Sequence, residues 1–285
     1  VYKNVFAVLK SATDYEKFIF ITGITKFTQI SLFSVLNNLT NISFLPEYAT
    51  LCGITEKELE ANFSSEVKML GEVNGWEYEE AHQRLKEYYD GYHFSRNKMT
   101  DIYNPYSLVN ALKNKEISNY WAGSGATTLL PKFVDDMELR MADFSHCSIM
   151  KNTIELSDVT EGGAELFLYQ SGYLTLKGAD GEVCFLGFPN AEVKQALYDI
   201  VLPTLTMKRT NEVKSMQANL YTYMSHADLE KGMQTLKALI ADVPYSNKKM
   251  KSMNMEERYR LVISTIFNAI GCRVEVEKMI ATGRI

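Results

Sequence analysis

Three Glu-x-Lys triplets have the residue types and spacing of a nuclease active site. They are Glu66-Val-Lys68, Glu192-Val-Lys194 and Glu212-Val-Lys214. In metal-dependent nucleases such a triplet lies on a strand, where the carboxylate holds Mg²⁺ and the lysine positions the attacking water. All three triplets here fall in segments with helical periodicity. We therefore interpret each as an ordinary pair on the surface of a helix.

Motifs for phosphate and metal binding are not apparent in the sequence. A phosphate-binding loop reads G-x-x-x-x-G-K-[ST], because backbone N–H groups and one lysine surround the phosphates. The segment Gly123–Thr128 has the small residues but no lysine. The histidines have no metal-ligand spacing, and we predict a surface or core position for each of them: His82, His93, His146 and His226. We predict no metal site from these patterns.

A dense aromatic block, Y-Y-D-G-Y-H-F-S, occupies Tyr88–Ser95. In the structural interpretation it is a helix end whose aromatic rings pack over a neighbouring element. In the functional interpretation it is a lid over a nucleotide, with His93 or Arg96 facing phosphate. The composition favours the structural interpretation and leaves the second open.

The apolar run F-I-F-I-T-G-I at Phe18–Ile24 predicts a strand buried on both faces. Thr25 and Lys26 follow it directly. Because ligands of parallel α/β sheets bind at the carboxyl ends of the strands, this end is the predicted active edge of a nucleotide-binding type of domain.

The bulk composition is that of a soluble globular protein. Of 285 residues 46% are hydrophobic and 23% charged, and the net charge of −5 argues against extensive coating by nucleic acid. No apolar run has the length of a membrane span, and no signal peptide is recognisable. The four cysteines are far apart and lack a CxxC pair. We expect a cytoplasmic protein without a disulfide framework.

Local signals place most of the helices. Thr55 and Glu58 form a capping-box pattern before the first of two acidic helices. The second runs from about Glu77 to Tyr89 and ends at Asp90-Gly91, and Asn104-Pro105 begins a third. Further helices are predicted at 128–137, 212–224, 228–241 and 255–270, and a strand at 273–278.

Residues 161–206 have the outline of a winged-helix unit. A helix at 164–171 precedes a hairpin with strands at 173–177 and 183–187, and a helix at 191–202 follows it. The predicted turn, Gly178–Gly181, carries Asp180 and no basic residue. We therefore favour a role in packing or protein contact over reading of a DNA groove.

Several blocks, in order along the chain, resemble a bacterial family of AAA-ATPase-like proteins with a C-terminal PD-(D/E)XK nuclease domain. The blocks are Phe20–Phe27, Ser31–Ser34, Leu36–Leu39, Tyr89–Tyr92, Phe94-Ser95, Tyr103–Ser107, Tyr120-Trp121, Tyr169–Leu174, Leu186–Asn190 and Gly283–Ile285. The resemblance covers nearly the whole chain.

The resemblance implies an α+β, mostly helical fold. It implies the C-terminal remnant of a P-loop α/β core at 1–45, a helical lid region at 46–160, the winged-helix-like unit at 161–206, linker helices at 207–250 and the start of a restriction-endonuclease-like domain at 251–285. In the family, the phosphate loop lies upstream of Val1 and the nuclease catalytic motif downstream of Ile285. Both ends of the chain look cut, so we expect an internal fragment of a longer protein.

The resemblance also implies site residues and cofactors. Thr25, Lys26 and His93 are the candidates for sensing ATP, which the parent protein would hold together with Mg²⁺. Glu257 and Glu277 are the positions of candidate supporting carboxylates for the nuclease. The loop Ser124–Thr127 departs from the family, which tends to have a proline after its Thr-Gly pair. This departure weakens a nucleotide contact there.

Two hypotheses remain open at this point. In the first, the chain is an internal segment of an ATP-binding protein coupled to a nuclease-like domain that acts on DNA, and is inactive by itself. In the second, it is a non-catalytic winged-helix module that binds protein or DNA. The sequence shows no membrane segment and leaves oligomerisation open.

Overall fold

The computed structural model describes residues 15–23, 40–121, 147–156, 163–242, 254–272, 274, 279–280 and 283–284. The chain divides into two compact units. The first comprises residues 1–120 and 144–190, and the second comprises residues 121–143 and 191–285. Among the described residues helices predominate, and three small sheets accompany them. The predicted α+β, mostly helical class is confirmed.

The first unit opens with a helical part. Its elements are β1 (Ile54–Thr55), α1 (Glu56–Asn74), α2 (Tyr78–Tyr89), β2 (Ile102–Tyr103) and α3 (Pro105–Asn114). The capping box of Thr55 and Glu58 is present, and the Asn104 side chain accepts hydrogen bonds from the first turn of α3. These helix starts were predictable because a cap needs only residues within one turn.

The apolar faces of α1, α2 and α3 form one core, and antiparallel pairing of β1 with β2 closes one end. Its fully buried side chains include Leu59, Leu70, Leu85, Tyr89, Tyr103 and Leu108. Two aromatic residues with hydroxyl groups therefore lie in this core. Because a buried hydroxyl needs a hydrogen-bond partner, their contacts organise the surrounding polar groups.

The rest of the first unit is built on a three-stranded antiparallel sheet. Its elements are β3 (Cys147–Met150), α4 (Lys151–Leu156), α5 (Gly163–Gln170), β4 (Thr175–Asp180) and β5 (Val183–Gly187), with strand order β3-β5-β4. The predicted hairpin is confirmed, but β4 continues through the predicted turn. A register shift between Leu176 and Gly178 absorbs one extra residue, and the turn is therefore Gly181-Glu182. Strand β3 was not predicted.

The second unit is helical, with α6 (Ala191–Thr206), α7 (Thr210–Ser225), α8 (Leu229–Ile240) and α9 (Met255–Ala269), followed by β6 (Met279–Ile280) and β7 (Gly283–Arg284). The predicted end of α6 before Pro203 was wrong, because the helix continues through this proline. Val201 and Leu202 before the proline, and Leu205 after it, are buried. Their packing offsets the lost backbone hydrogen bond.

The predicted strand at Phe18–Ile24 is not present among residues 18–23. Phe18 is 82% exposed and Phe20 53% exposed, and neither belongs to a strand. A strand buried on both faces requires neighbouring strands, and none of the described strands pairs with this segment. The apolar composition of this run therefore predicted a burial that its described residues do not have.

Other sequence predictions have different outcomes. The helix, hairpin and helix of the winged-helix outline are confirmed as elements, but the division between the two compact units falls between Asn190 and Ala191. The grouping of these elements into one unit stays a prediction. The helix at 128–137 and the loop at 123–128 lie outside the described residues, as does the strand at 273–278 apart from Val274. None of the described helices combines the length and apolarity needed to span a bilayer.

Candidate functional site

The end of α2 positions the aromatic block Tyr88–Ser95. Asp90 follows the last helical residue, and its N–H donates to Lys86 O at 3.1 Å. Gly91 then has φ +102°, in the region that favours glycine. A β-carbon at this position would lie 2.4 Å from Pro189 O. The chain can pass this close to Pro189 O after α2 because glycine has no side chain at position 91.

Two tyrosines of the block, Tyr89 and Tyr92, are structural. Tyr89 Oη donates to Ser118 O at 2.8 Å and accepts from Ser118 N at 2.9 Å. Tyr92 exchanges two backbone hydrogen bonds with Ile102, and its hydroxyl donates to Gly172 O at 2.9 Å. Each ring is buried and each hydroxyl is used. These contacts support the structural interpretation of the aromatic block.

His93 is buried, and protein groups contact its backbone and its ring. Its N–H donates to Thr175 Oγ1 at 2.8 Å, and Thr175 Oγ1 donates to His93 O at 3.0 Å. In the ring, Nδ1 lies 2.8 Å from Leu176 O and Nε2 lies 2.7 Å from Asp101 Oδ1. Both ring nitrogens face oxygen acceptors. A phosphate could contact His93 only by displacing Asp101, and the ATP-sensing role of this histidine stays a prediction.

We expect Thr175→Val to lower the free energy of unfolding by about 2 kcal/mol. Valine keeps the shape of threonine but leaves the N–H and the C=O of His93 without a side-chain partner, and an unsatisfied buried polar group costs about 1–3 kcal/mol. Urea denaturation of the chain measures the change. Thr222→Val, at an exposed helical position, is the matched control and should change stability by less than about 0.5 kcal/mol. Equal effects of the two substitutions would contradict the His93 contact.

Asp90 is the most unusual carboxyl of the site. It is 4% exposed, and its Oδ1 has no hydrogen-bond partner. Burial raises the pKa of Asp90 to about 6, opposed by a hydrogen bond from the Gly91 backbone and by the charge of Lys86. The charges of Asp101 and Glu56 raise this pKa further. Asp90 can therefore gain or lose a proton near neutral pH.

Glu56, in the first turn of α1, connects several polar side chains. Tyr103 Oη donates to its Oε2 at 2.9 Å, and Lys86 Nζ lies 3.7 Å from the same oxygen. Its Oε1 contacts His82 Nε2. Burial, followed by the hydrogen bond to Glu56, raises the pKa of Tyr103 far above its ordinary value. Tyr103 therefore acts as a neutral donor to this carboxylate.

The other candidate residues have varied positions. Thr25, Lys26 and Glu277 lie outside the described residues. Arg96 Nη2 lies 3.4 Å from Gly181 O, in the turn of the hairpin. Glu257 belongs to a capping box with Asn254 at the start of α9. This local contact gives Glu257 a structural role.

The three Glu-x-Lys triplets lie in α1, α6 and α7, so their predicted helical location is confirmed. The interpretation of Glu192 as a surface residue was wrong. Its side chain is fully buried, and Oε1 accepts a hydrogen bond from Trp121 N at 2.8 Å. The backbone N–H of Trp121, which is distant in sequence, therefore stabilises the buried carboxylate of Glu192.

Sequence reasoning missed the convergence of Glu56, His82, Asp90 and Tyr103. Glu56 lies directly after the cap Thr55, where an acidic residue is expected for the helix dipole. The spacing between Glu56 and His82 corresponds to no motif, because the two residues meet only when α1 packs against α2. The one available signal was Asp90, a carboxyl placed among aromatic residues.

Comparison with curated proteins identifies a relative of this chain. The chain is 28% identical over 303 aligned positions to an uncharacterized protein encoded in the vnfD 5′ region of Azotobacter chroococcum mcd 1. The alignment covers 99% of this chain and 53% of that protein, so the chain spans about half the length of its relative. No family model matches the chain. No solved structure matches it either.

Proposed function

We propose that this chain is an internal segment of a cytoplasmic, AAA-ATPase-like ATP-binding protein coupled to a PD-(D/E)XK nuclease-like domain. The observation that carries the proposal is that the sequence blocks resembling this family contact one another within the first unit. Blocks that are far apart in sequence are expected to contact one another if together they form one structural part common to the family.

The aromatic block lies at the centre of these contacts. Asn104 N, from the block Tyr103–Ser107, donates to Tyr89 O at 2.9 Å. Tyr92 Oη reaches Gly172 O, 80 residues away and in the block Tyr169–Leu174. The closeness of Gly91 to Pro189 adds the block Leu186–Asn190. The family resemblance thus coincides with a connected set of contacts.

In the proposed protein, other parts of the sequence bind ATP and Mg²⁺ and cleave DNA. The first unit then serves as a rigid body that transmits nucleotide-dependent movement to the nuclease-like part. The additional length of the Azotobacter relative is compatible with such further domains. In this chain the Glu-x-Lys triplets lie on helices, which does not fit nuclease catalysis.

We expect the chain alone to hydrolyse no ATP and to cleave no DNA in the presence of Mg²⁺. The protein encoded by the complete reading frame should bind ATP through a G-x-x-x-x-G-K-[ST] loop upstream of Val1. Phosphate release and plasmid nicking, measured on both proteins, test this difference. Alanine in place of the loop lysine is the control. A reading frame without this loop, or activity of the chain alone, would contradict the proposal.

The second candidate is a non-catalytic binding module. The hairpin turn Gly181-Glu182 follows Asp180, and Arg96 Nη2 lies 3.4 Å from Gly181 O. Lys177 Nζ contacts Gly91 O at 3.1 Å and Pro189 O at 3.4 Å. The tip carries two carboxylates and one guanidinium, so it lacks the excess of positive charge that duplex DNA attracts, which favours a protein partner. Salt-dependent binding of the chain to duplex DNA would instead support a DNA-binding module.

A further inference from the structure

Two glutamates and a histidine converge where α1 packs against α2. Glu56 and Glu60 lie one helical turn apart on α1, and His82 faces them from α2. One ligand atom from each side chain lies within 4.8 Å of the other two. We propose that Glu56, Glu60 and His82 bind a divalent transition-metal ion of the Zn²⁺ type.

The ligand types determine the class of ion. Zinc binds imidazole nitrogen and carboxylate oxygen at about 2.0–2.2 Å, and sites with three protein ligands leave a position open for water. Magnesium prefers an octahedral shell of oxygen ligands. The set of one imidazole and two carboxylates therefore favours zinc over magnesium. Glu56 and His82 are partly exposed and Glu60 is exposed, so small rotations can open the Glu56–His82 contact for an ion.

The surroundings of Glu56 orient it as a ligand. Tyr103 Oη and Lys86 Nζ both contact Oε2, whereas Oε1 faces His82. The two oxygens thus have separate partners, and the outer contacts fix the carboxylate while Oε1 remains available to a metal ion. Hydrogen bonds of this kind orient metal ligands in proteins. The ring of Tyr78 stacks on His82 with centroids 6.1 Å apart and restricts the imidazole.

A second observation is a buried carboxyl, that of Asp90, which interacts electrostatically with Glu56. Asp90 is almost fully buried, and its Oδ1 lacks a hydrogen-bond partner. Asp90 is not a ligand in the proposed site. A divalent cation on Glu56 would bring positive charge towards this buried carboxyl, whose Oδ1 has no hydrogen-bond partner.

The test is calorimetric titration of the purified chain with ZnCl₂ and, separately, with MgCl₂. Exposed thiols can bind zinc, so all proteins carry Cys52→Ser and Cys272→Ser. The test variants are Glu60→Gln and His82→Gln. The controls are Glu66→Gln on the same helix and His226→Gln at an exposed position. Because the Glu60 side chain is exposed, Glu60→Gln should fold normally, and a thermal melt without metal verifies this.

We expect one zinc ion per chain and much weaker binding of magnesium. Each test substitution should reduce zinc affinity by at least about tenfold, since loss of an outer-shell partner already costs about 10–100-fold. The control substitutions should leave the affinity unchanged, and zinc should raise the melting temperature of the parent but not of Glu60→Gln. Absence of stoichiometric binding, or equal affinity in parent, Glu60→Gln and His82→Gln, would overturn the proposal.

Discussion

Gly91→Ala is expected to lower the free energy of unfolding by about 4 kcal/mol, or to prevent folding of the first unit. The backbone at this position has φ +102°, which costs an alanine about 1–2 kcal/mol. The new β-carbon would also lie 2.4 Å from Pro189 O, a backbone atom that cannot rotate away. Restoring a normal distance requires the segment after α2 to separate from Pro189, which follows β5, and this disturbs the contacts of Tyr92 and His93.

The control for this experiment is Gly75→Ala at the end of α1. Gly75 also has positive φ, +73°, but a β-carbon added there would have no other atom within 4 Å. This substitution should cost only the backbone strain of about 1–2 kcal/mol. Urea denaturation followed by circular dichroism measures both variants. Equal losses in the two would mean that Gly91 is required for its dihedral angles alone, and that the close approach to Pro189 is wrong.

Asp90→Asn is expected to remove a pH dependence of stability between about pH 4 and pH 6. Burial raises the folded-state pKa from the ordinary value of 3.8 to about 6, so in this range the folded protein binds more protons than the unfolded chain. Stability therefore falls as the pH rises through this window and levels off above it. The rise in pKa from 3.8 to about 6 corresponds to a loss of roughly 3 kcal/mol in the free energy of unfolding across this window. Asparagine cannot ionise, so its burial does not carry this cost.

The measurement is the free energy of unfolding of both proteins at several pH values from 4 to 7.5. The difference between variant and wild type should shift by roughly 3 kcal/mol in favour of Asp90→Asn as the pH rises. Using this difference cancels the contributions of all other titrating groups. Asp199→Asn is a matched control. Burial also raises the pKa of Asp199, but unlike Asp90 Oδ1 its carboxylate accepts a side-chain hydrogen bond, from Gln217, which opposes the shift. A pH-independent difference for Asp90→Asn would show that Asp90 is solvated in the folded protein.

Elements specified by neighbouring residues could be predicted from the sequence. The cap at Thr55, the Asn104-Pro105 start and the hairpin each depend on groups a few residues apart. The run at 18–24 was misjudged because burial on two faces depends on strands elsewhere in the fold. Strand β3 is four residues long and has no clear alternation, so only its pairing with β5 reveals it.

The candidate site was partly predictable for the same reason. The aromatic composition of Tyr88–Ser95 indicated a packed helix end, and the hydroxyl contacts of Tyr89 and Tyr92 agree. The burial of Glu192 and the meeting of Glu56 with His82 depend on residues from distant parts of the chain. A sequence gives the types of such residues but not the packing angle that brings them together.

The extra residue in β4 separates two tasks of a single hairpin. Before the register shift, Thr175 and Leu176 pair with Gly187 and Leu186 and hold His93, whereas Ala179 and Asp180 beyond it are exposed. Val183 and Cys184, which pair with this outer part of β4, also pair with β3. Insertions of residue pairs at the turn can therefore extend the exposed surface while the His93 contacts and the pairing of β5 with β3 stay fixed.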